Sequence, residues 1–113
     1  MGRTLNLKEI IDRLLEEDPD TLLSVGWDEE DSYRGFYEEL CVIRAENVTI
    51  ATMIACLRRA IGNTYGGYKG GLFIMSEQSN VYLVHEYNEG FSEQIGVDML
   101  DLMIRGKENE RTY

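Results

Sequence analysis

The stretch TYGGYKGG, Thr64 to Gly71, gathers four of the chain's 11 glycines, two of its seven tyrosines and a lone lysine into eight residues. Glycine loses more backbone freedom on folding than any other residue, so such a cluster costs stability unless unusual dihedrals or a close backbone approach require it. Consecutive glycines can turn several backbone N–H groups towards one point, forming a concave nest for phosphate or carboxylate. Lys69 adds a charge there, and Tyr65 and Tyr68 add flat faces for a base. Upstream, YRGFY flanks Arg34 with Tyr33 and Phe36, where a guanidinium suits a bidentate phosphate contact or stacking. The candidate ligand-binding residues are therefore Arg34, Tyr65, Gly66, Gly67, Tyr68, Lys69, Gly70 and Gly71, a set that fits a nucleotide-sized anion. A second reading needs no ligand: the segment is a helix-to-strand connection built on left-handed turns, with both tyrosines over the core edge and Lys69 as a solvated strand gatekeeper.

Little else in the chain is equipped for chemistry. The single histidine, His85, falls in a predicted strand with no second His or Cys at ligand spacing, so no metal site is expected. There is no G-x-S-x-G elbow, no P-loop and no H-E-x-x-H, and Glu38 and Glu39 would point to opposite faces of a strand. Without a nucleophile, base or metal constellation, the expectation is a protein that is not an enzyme and needs no cofactor. Cys41 and Cys56 lack CxxC spacing and read as small core residues, with a disulfide as the alternative.

The net charge is −10, from 21 acidic and 11 basic residues, with acids clustered at Glu16–Asp20, Asp28–Asp31, Glu38–Glu39 and Glu108–Glu110. A surface of this sign repels nucleic acid at long range, so direct DNA or RNA binding is not expected. The acids are either a solvated surface or an imitation of a polyanion that occupies the basic groove of another protein.

At 113 residues the chain fits one domain, 1–113, with 1–5 and 106–113 expected to fray. The 43% hydrophobic and 28% charged residues are the balance of a globular protein. No apolar run approaches the roughly 18 residues of a membrane span. Met1–Asn6 lacks the basic start and apolar stretch of a secretion signal, so a cytoplasmic location is expected.

The elements that position these residues follow from periodicity. In NLKEIIDRLLEEDP, Leu7, Ile10, Ile11, Leu14 and Leu15 share a helical face, Asn6 and Glu9 form a capping box, and Asp18-Pro19 stops the helix. TLLSVGW, 21–27, reads as a strand, DEEDS as a polar turn, and Tyr33–Ala45 as a central strand bulged at Gly35. NVTIATMIACLRRAIG reads as a second helix with its stripe at Ile50, Met53, Ile54, Leu57 and Ile61. Asn47 or Thr49 is its N-cap, Arg58 and Arg59 are in its last turns, and Gly62 is at C′. GLFIM and VYLVHEY read as a hairpin joined by SEQSN, IGVDML as a further strand, and RGKENERTY as a tail. The predicted fold is α+β: a mostly antiparallel sheet of four to five strands, including 34–45, 71–76 and 81–87, with two amphipathic helices on one face.

YRGFYEEL, followed after an amphipathic helix by GNTYGGYKGG and an aromatic-rich hairpin, resembles a family of small bacteriophage-encoded proteins over roughly Tyr33 to Val97. By class, the resemblance extends to phage anti-defence proteins, the anti-Thoeris and anti-CBASS sponges that sequester cyclic or ADP-ribose-type messengers without chemistry. It implies a counter-defence protein that traps a phosphate-bearing signalling molecule, and no binding residue is carried over from any sponge. The alternative is an acidic interaction protein that blocks a basic site of a host nuclease or DNA-binding enzyme. A basic pocket where Arg58 or Arg59 joins Arg34 and Lys69 would favour the first, and carboxylates in two rows along a ridge the second. A homo-oligomer is expected, because VYLVHEY and IGVDMLDLMI supply more apolar residues than one small sheet face covers.

Overall fold

The first helix is built as its sequence dictates. In the computed structural model, which describes residues 3–32, 39–66, 72–84 and 92–110, α1 spans Leu7–Leu14. The Asn6 side chain accepts from the Glu9 backbone at 2.9 Å, and Glu9 Oε1 accepts from the Asn6 backbone at 3.0 Å. This reciprocal capping satisfies two donors at the helix start, a contribution of about 1 kcal/mol. Leu7, Ile10, Ile11 and Leu14 are buried. Leu15, expected on the same stripe, is 52% exposed because it is the C-cap, where the helical repeat has ended.

The chain then forms β1 (Leu22–Ser32), β2 (Glu39–Thr49), α2 (Ile50–Ala60), β3 (Thr64–Gly66), β4 (Leu72–Ile74), β5 (Asn80–Val84), β6 (Ser92–Gln94) and α3 (Val97–Glu110). The fold is α+β, with a four-stranded sheet in the order β1-β2-β5-β6 and a separate two-stranded sheet of β3 and β4. The sheet is mostly antiparallel, as expected, but mixed: β1 and β6 run antiparallel to their neighbours, while β2 and β5 are parallel. Parallel neighbours need a long crossover, which α2 and the β3–β4 hairpin supply.

Several expectations give way to this topology. DEEDS is not a turn: Asp28 to Ser32 continue β1, with the register shift falling between Trp27 and Glu29. An edge strand tolerates acids on its wet face, and this one carries them. GLFIM and VYLVHEY do not pair with each other, because residues 72–74 take β3 as partner and leave the main sheet, while β5 joins β2. IGVDML is not a strand. Val97 begins a third helix in which Leu100, Met103 and Ile104 are buried at helical spacing, and that helix carries the expected tail as far as Glu110. The N-terminal segment is tied down rather than frayed from residue 3: Thr4 bridges to Gly96, and Leu5, buried, donates its N–H to Ile95 O at 3.1 Å.

The core is one cluster joining all three helices to Leu23 and Trp27 of β1, Leu40 and Val42 of β2, and Val81 and Leu83 of β5. The intervening residues Cys41, Ile43 and Val84 form a separate small cluster on the opposite face. Two contacts lock α2 onto β1. The buried Trp27 ring donates Nε1–H to Met53 O at 3.1 Å, and Gly26 lies so close that a Cβ there would sit 2.4 Å from Val48 and 2.7 Å from the Met53 sulfur. Gly62, with φ of +86°, supplies the left-handed residue that ends α2 as the sequence requires. Among the described residues no helix is long and apolar enough to cross a membrane.

Candidate anion-binding cleft

The turn after α1 is held against the first turn of α2 by backbone bonds. Ala51 N–H donates to Pro19 O at 3.0 Å and Ile50 N–H to Thr21 O at 2.9 Å, so α2 starts with its orphan donors satisfied by the α1–β1 connection. Thr49 is the N-cap, its hydroxyl accepting from Thr52 N–H at 3.1 Å. Beside the core stripe of α2 runs a second one, Ala51, Ala55, Arg58 and Arg59, that faces outwards. Leu15 and Pro19 form the other wall. The result is a concavity of about 530 Å³ lined by Leu15, Pro19, Ala51, Ile54, Ala55, Arg58 and Arg59, a volume within the range of small-molecule sites.

Among the described residues the lining is apolar except for two guanidinium groups, and no carboxylate contributes to it. In a chain of net charge −10, this is a local reversal of sign. Arg58 is exposed and has no hydrogen bond or ion pair among the described residues. Arg59 is anchored: its Nη2 donates to Glu30 Oε1 at 2.9 Å and to Asp28 O at 3.4 Å. The same Glu30 oxygen accepts from Cys56 Sγ at 3.3 Å. Burial pushes the Cys56 thiol far up, with Glu30 adding to the effect, so this cysteine stays protonated and is no nucleophile. Arg59 is held protonated above its already high ordinary value, chiefly by Glu30, and the Tyr65 phenol adds to this from within electrostatic reach.

Two other concavities among the described residues are chemically different. One of about 300 Å³ between α1 and α3 holds Arg3 and Arg13, but four carboxylates line it too. Arg3 is paired with Glu9 at 2.8 Å, and Arg13 with Glu17 at 2.8 Å, Asp101 at 3.3 Å and Glu16 at 3.6 Å, so its cations are already satisfied. A third, of about 240 Å³ between β1 and α3, is lined by Ser24, Val25, Met99, Leu102, Met103 and Gly106 and offers no charge.

Of the residues singled out by sequence, Tyr65 is half-buried against the core and Gly66 pairs with Leu72, so Gly66 is an extended strand residue. Arg34, Gly67, Tyr68, Lys69, Gly70 and Gly71 lie outside the described residues, as does His85. The structure does bring Arg58 and Arg59 to one concavity. The sequence reading missed Glu30, which it assigned to a turn, and the wall formed by Leu15 and Pro19, which only tertiary packing assembles. Cys41 and Cys56 are both buried and free. Among the described residues no group of three His, Cys, Asp or Glu side chains could hold a metal ion. Comparison with family models, with curated proteins and with solved structures returned no match.

Proposed function

We propose that this chain is a non-enzymatic binding protein of the small phage-encoded, counter-defence type, which sequesters a phosphate-bearing signalling molecule such as a cyclic nucleotide or an ADP-ribose derivative. The observation that carries the reading is the cleft at the C-terminal half of α2, where Arg58 and Arg59 stand over an apolar floor with no carboxylate in the lining among the described residues. A phosphate approaching a molecule of net charge −10 is repelled at long range, but salt screens exposed charges beyond about 8–10 Å, within which local donors prevail. Arg34, Lys69 and the Gly66–Gly71 segment remain candidate contacts of the same ligand on their residue types alone.

The acidic-decoy alternative draws less support. The carboxylates of α1 and its C-terminal turn are largely neutralised in place, Glu9 by Arg3, Asp12 by Lys8 at 2.7 Å and Glu17 by Arg13, and do not form two free rows. Assembly into a homo-oligomer also belongs to the proposal. Its apolar surplus lies at Leu72 (74% exposed) and Ile74 (66%) of the hairpin, since α3 buries most of the segment first expected to supply it. Light scattering that gave the 13.0 kDa monomer mass across a wide concentration range would remove that part.

Calorimetric titration with a panel of cyclic dinucleotides, cyclic trinucleotides and ADP-ribose isomers tests the function. The proposal expects at least one to bind, and Arg58→Gln to weaken it by about 1.5–3 kcal/mol, the worth of a charge-assisted bond. No binding across the panel, or binding indifferent to Arg58, moves the assignment to the acidic surface.

A further inference from the structure

We infer that Glu30 sets the charge of the phosphate group the Arg58–Arg59 cleft accepts, making it a site for one diester group, which carries a single negative charge, rather than for a monoester group, which carries up to two. The inference rests on the anion-binding reading of that cleft and adds its selectivity. Glu30 does not line the cleft, yet it governs one of the two cations that do.

Glu30 reaches from β1 to α2, and its Oε1 takes both the Arg59 Nη2 and the Cys56 Sγ, donors one turn apart on the helix. The Glu30 side chain is only 16% exposed, so water screens it weakly and the carboxylate cannot swing away from Arg59 into solvent. A carboxylate 2.9 Å from a guanidinium leaves that pair neutral overall. The net positive charge of the cleft is therefore that of Arg58 alone. A diester phosphate carries one negative charge and matches it, whereas a monoester carries about −1.5 to −2 at neutral pH. The excess would face Glu30 and the acidic body of the protein without a counter-charge.

Arg59 still has something to offer. All its side-chain hydrogen bonds among the described residues run through Nη2, so the other guanidinium nitrogens remain available to a ligand. Held from one side by Glu30 and Asp28, the group is oriented in advance, while Arg58 supplies the charge. The apolar floor formed by Leu15, Ile54 and Ala55 suits the ester substituents that a diester carries on both sides of its phosphorus.

The test uses two simple probes, diphenyl phosphate, a monoanion from pH 5 to pH 8, and phenyl phosphate, whose second proton leaves near pH 6. Binding is measured calorimetrically for the parent and for Glu30→Gln and Arg58→Gln, with thermal melting as a control on folding. We expect Glu30→Gln to shift the affinity ratio about tenfold towards phenyl phosphate at pH 8, the scale of one partly screened charge a few ångströms away. Arg58→Gln should weaken both probes. The parent alone provides a second reading: phenyl phosphate should bind several-fold tighter at pH 5 than at pH 8, while diphenyl phosphate stays unchanged. If the parent binds both probes through Arg58 but its preference ignores both Glu30 and pH, the Glu30 inference is overturned and the cleft stands. If the parent binds neither, cleft and inference fall together. Replacing the probes by a cyclic dinucleotide and by phosphatidylglycerol vesicles separates the sources of a diester, and binding to vesicles alone overturns the assignment to a small molecule.

Discussion

Replacing Leu100 and Leu102 one at a time by alanine distinguishes the third helix from the strand that the run IGVDMLDLMI invites. In a strand, residues two apart share a face and the two substitutions would cost alike. In α3 they do not: Leu100 is fully buried in the main core with Met103 and Ile104, whereas Leu102 is 63% exposed. Truncating a fully buried leucine costs about 3 kcal/mol in lost transfer energy and residual cavity. With a urea slope of about 1.5 kcal/mol/M for a domain this size, the Leu100→Ala midpoint should fall by about 2 M. Leu102→Ala should stay within about 0.5 kcal/mol of the parent, because an exposed helical position gains from alanine's propensity roughly what it loses in contact. Equilibrium urea unfolding followed by Trp27 fluorescence reads both values, since that ring is buried in the same core. Equal losses at the two positions would refute the helix, and an unchanged midpoint for Leu100→Ala would refute its place in the core.

Three further outcomes are expected. Gly26→Ala should destabilise by about 1–3 kcal/mol in thermal or urea unfolding, because its Cβ would sit 2.4 Å from Val48 and 2.7 Å from the Met53 sulfur. Gly62→Ala has open space around it and should cost about 1 kcal/mol through backbone strain alone at φ +86°, with the urea slope unchanged. Glu9 is held below its ordinary value of 4.5 by the Asn6 backbone and by Arg3. Its depressed value means a stabilising contribution present above about pH 4.5 and lost as pH falls through the folded-state value. Glu9→Gln should therefore lower the neutral plateau of a melting-temperature profile slightly and leave its acid end unchanged, flattening the limb between them.

What the sequence made legible was local. The Asn6–Glu9 box, the 50–57 stripe of α2 and the glycine at its end each depend on residues within a few positions of one another, and all three appear as read. The α+β class followed from strands grouped with too few helical crossovers for a parallel sheet. What escaped was decided by partners far along the chain. Nothing near VYLVHEY says that it will pair in parallel with Glu39–Ile43, and nothing near GLFIM says that Thr64–Gly66 will claim it first. The apolar run at 95–104 fits both a strand and a helix, although the spacing of Val97, Leu100 and Ile104, with Asp98 in the first turn, carried the helical signal. At the site, Arg58 and Arg59 were visible as cations suited to a helix C-terminus. The cleft they stand in is closed by Leu15 and Pro19, about forty residues earlier, and Arg59 is held there by Glu30, which lies outside the lining and looked like part of a polar turn.

Two-dimensional NMR of the arginine side chains and backbone amides, followed during titration with a cyclic dinucleotide, shows whether the Arg58–Arg59 cleft takes a phosphate-bearing ligand. Saturable shifts are expected for the Arg58 and Arg59 Nε–H signals together with the amides of Ala51 and Ala55, which line the same wall. Shifts confined to Arg3 and Arg13 at the opposite cleft, or none at millimolar ligand, would contradict it.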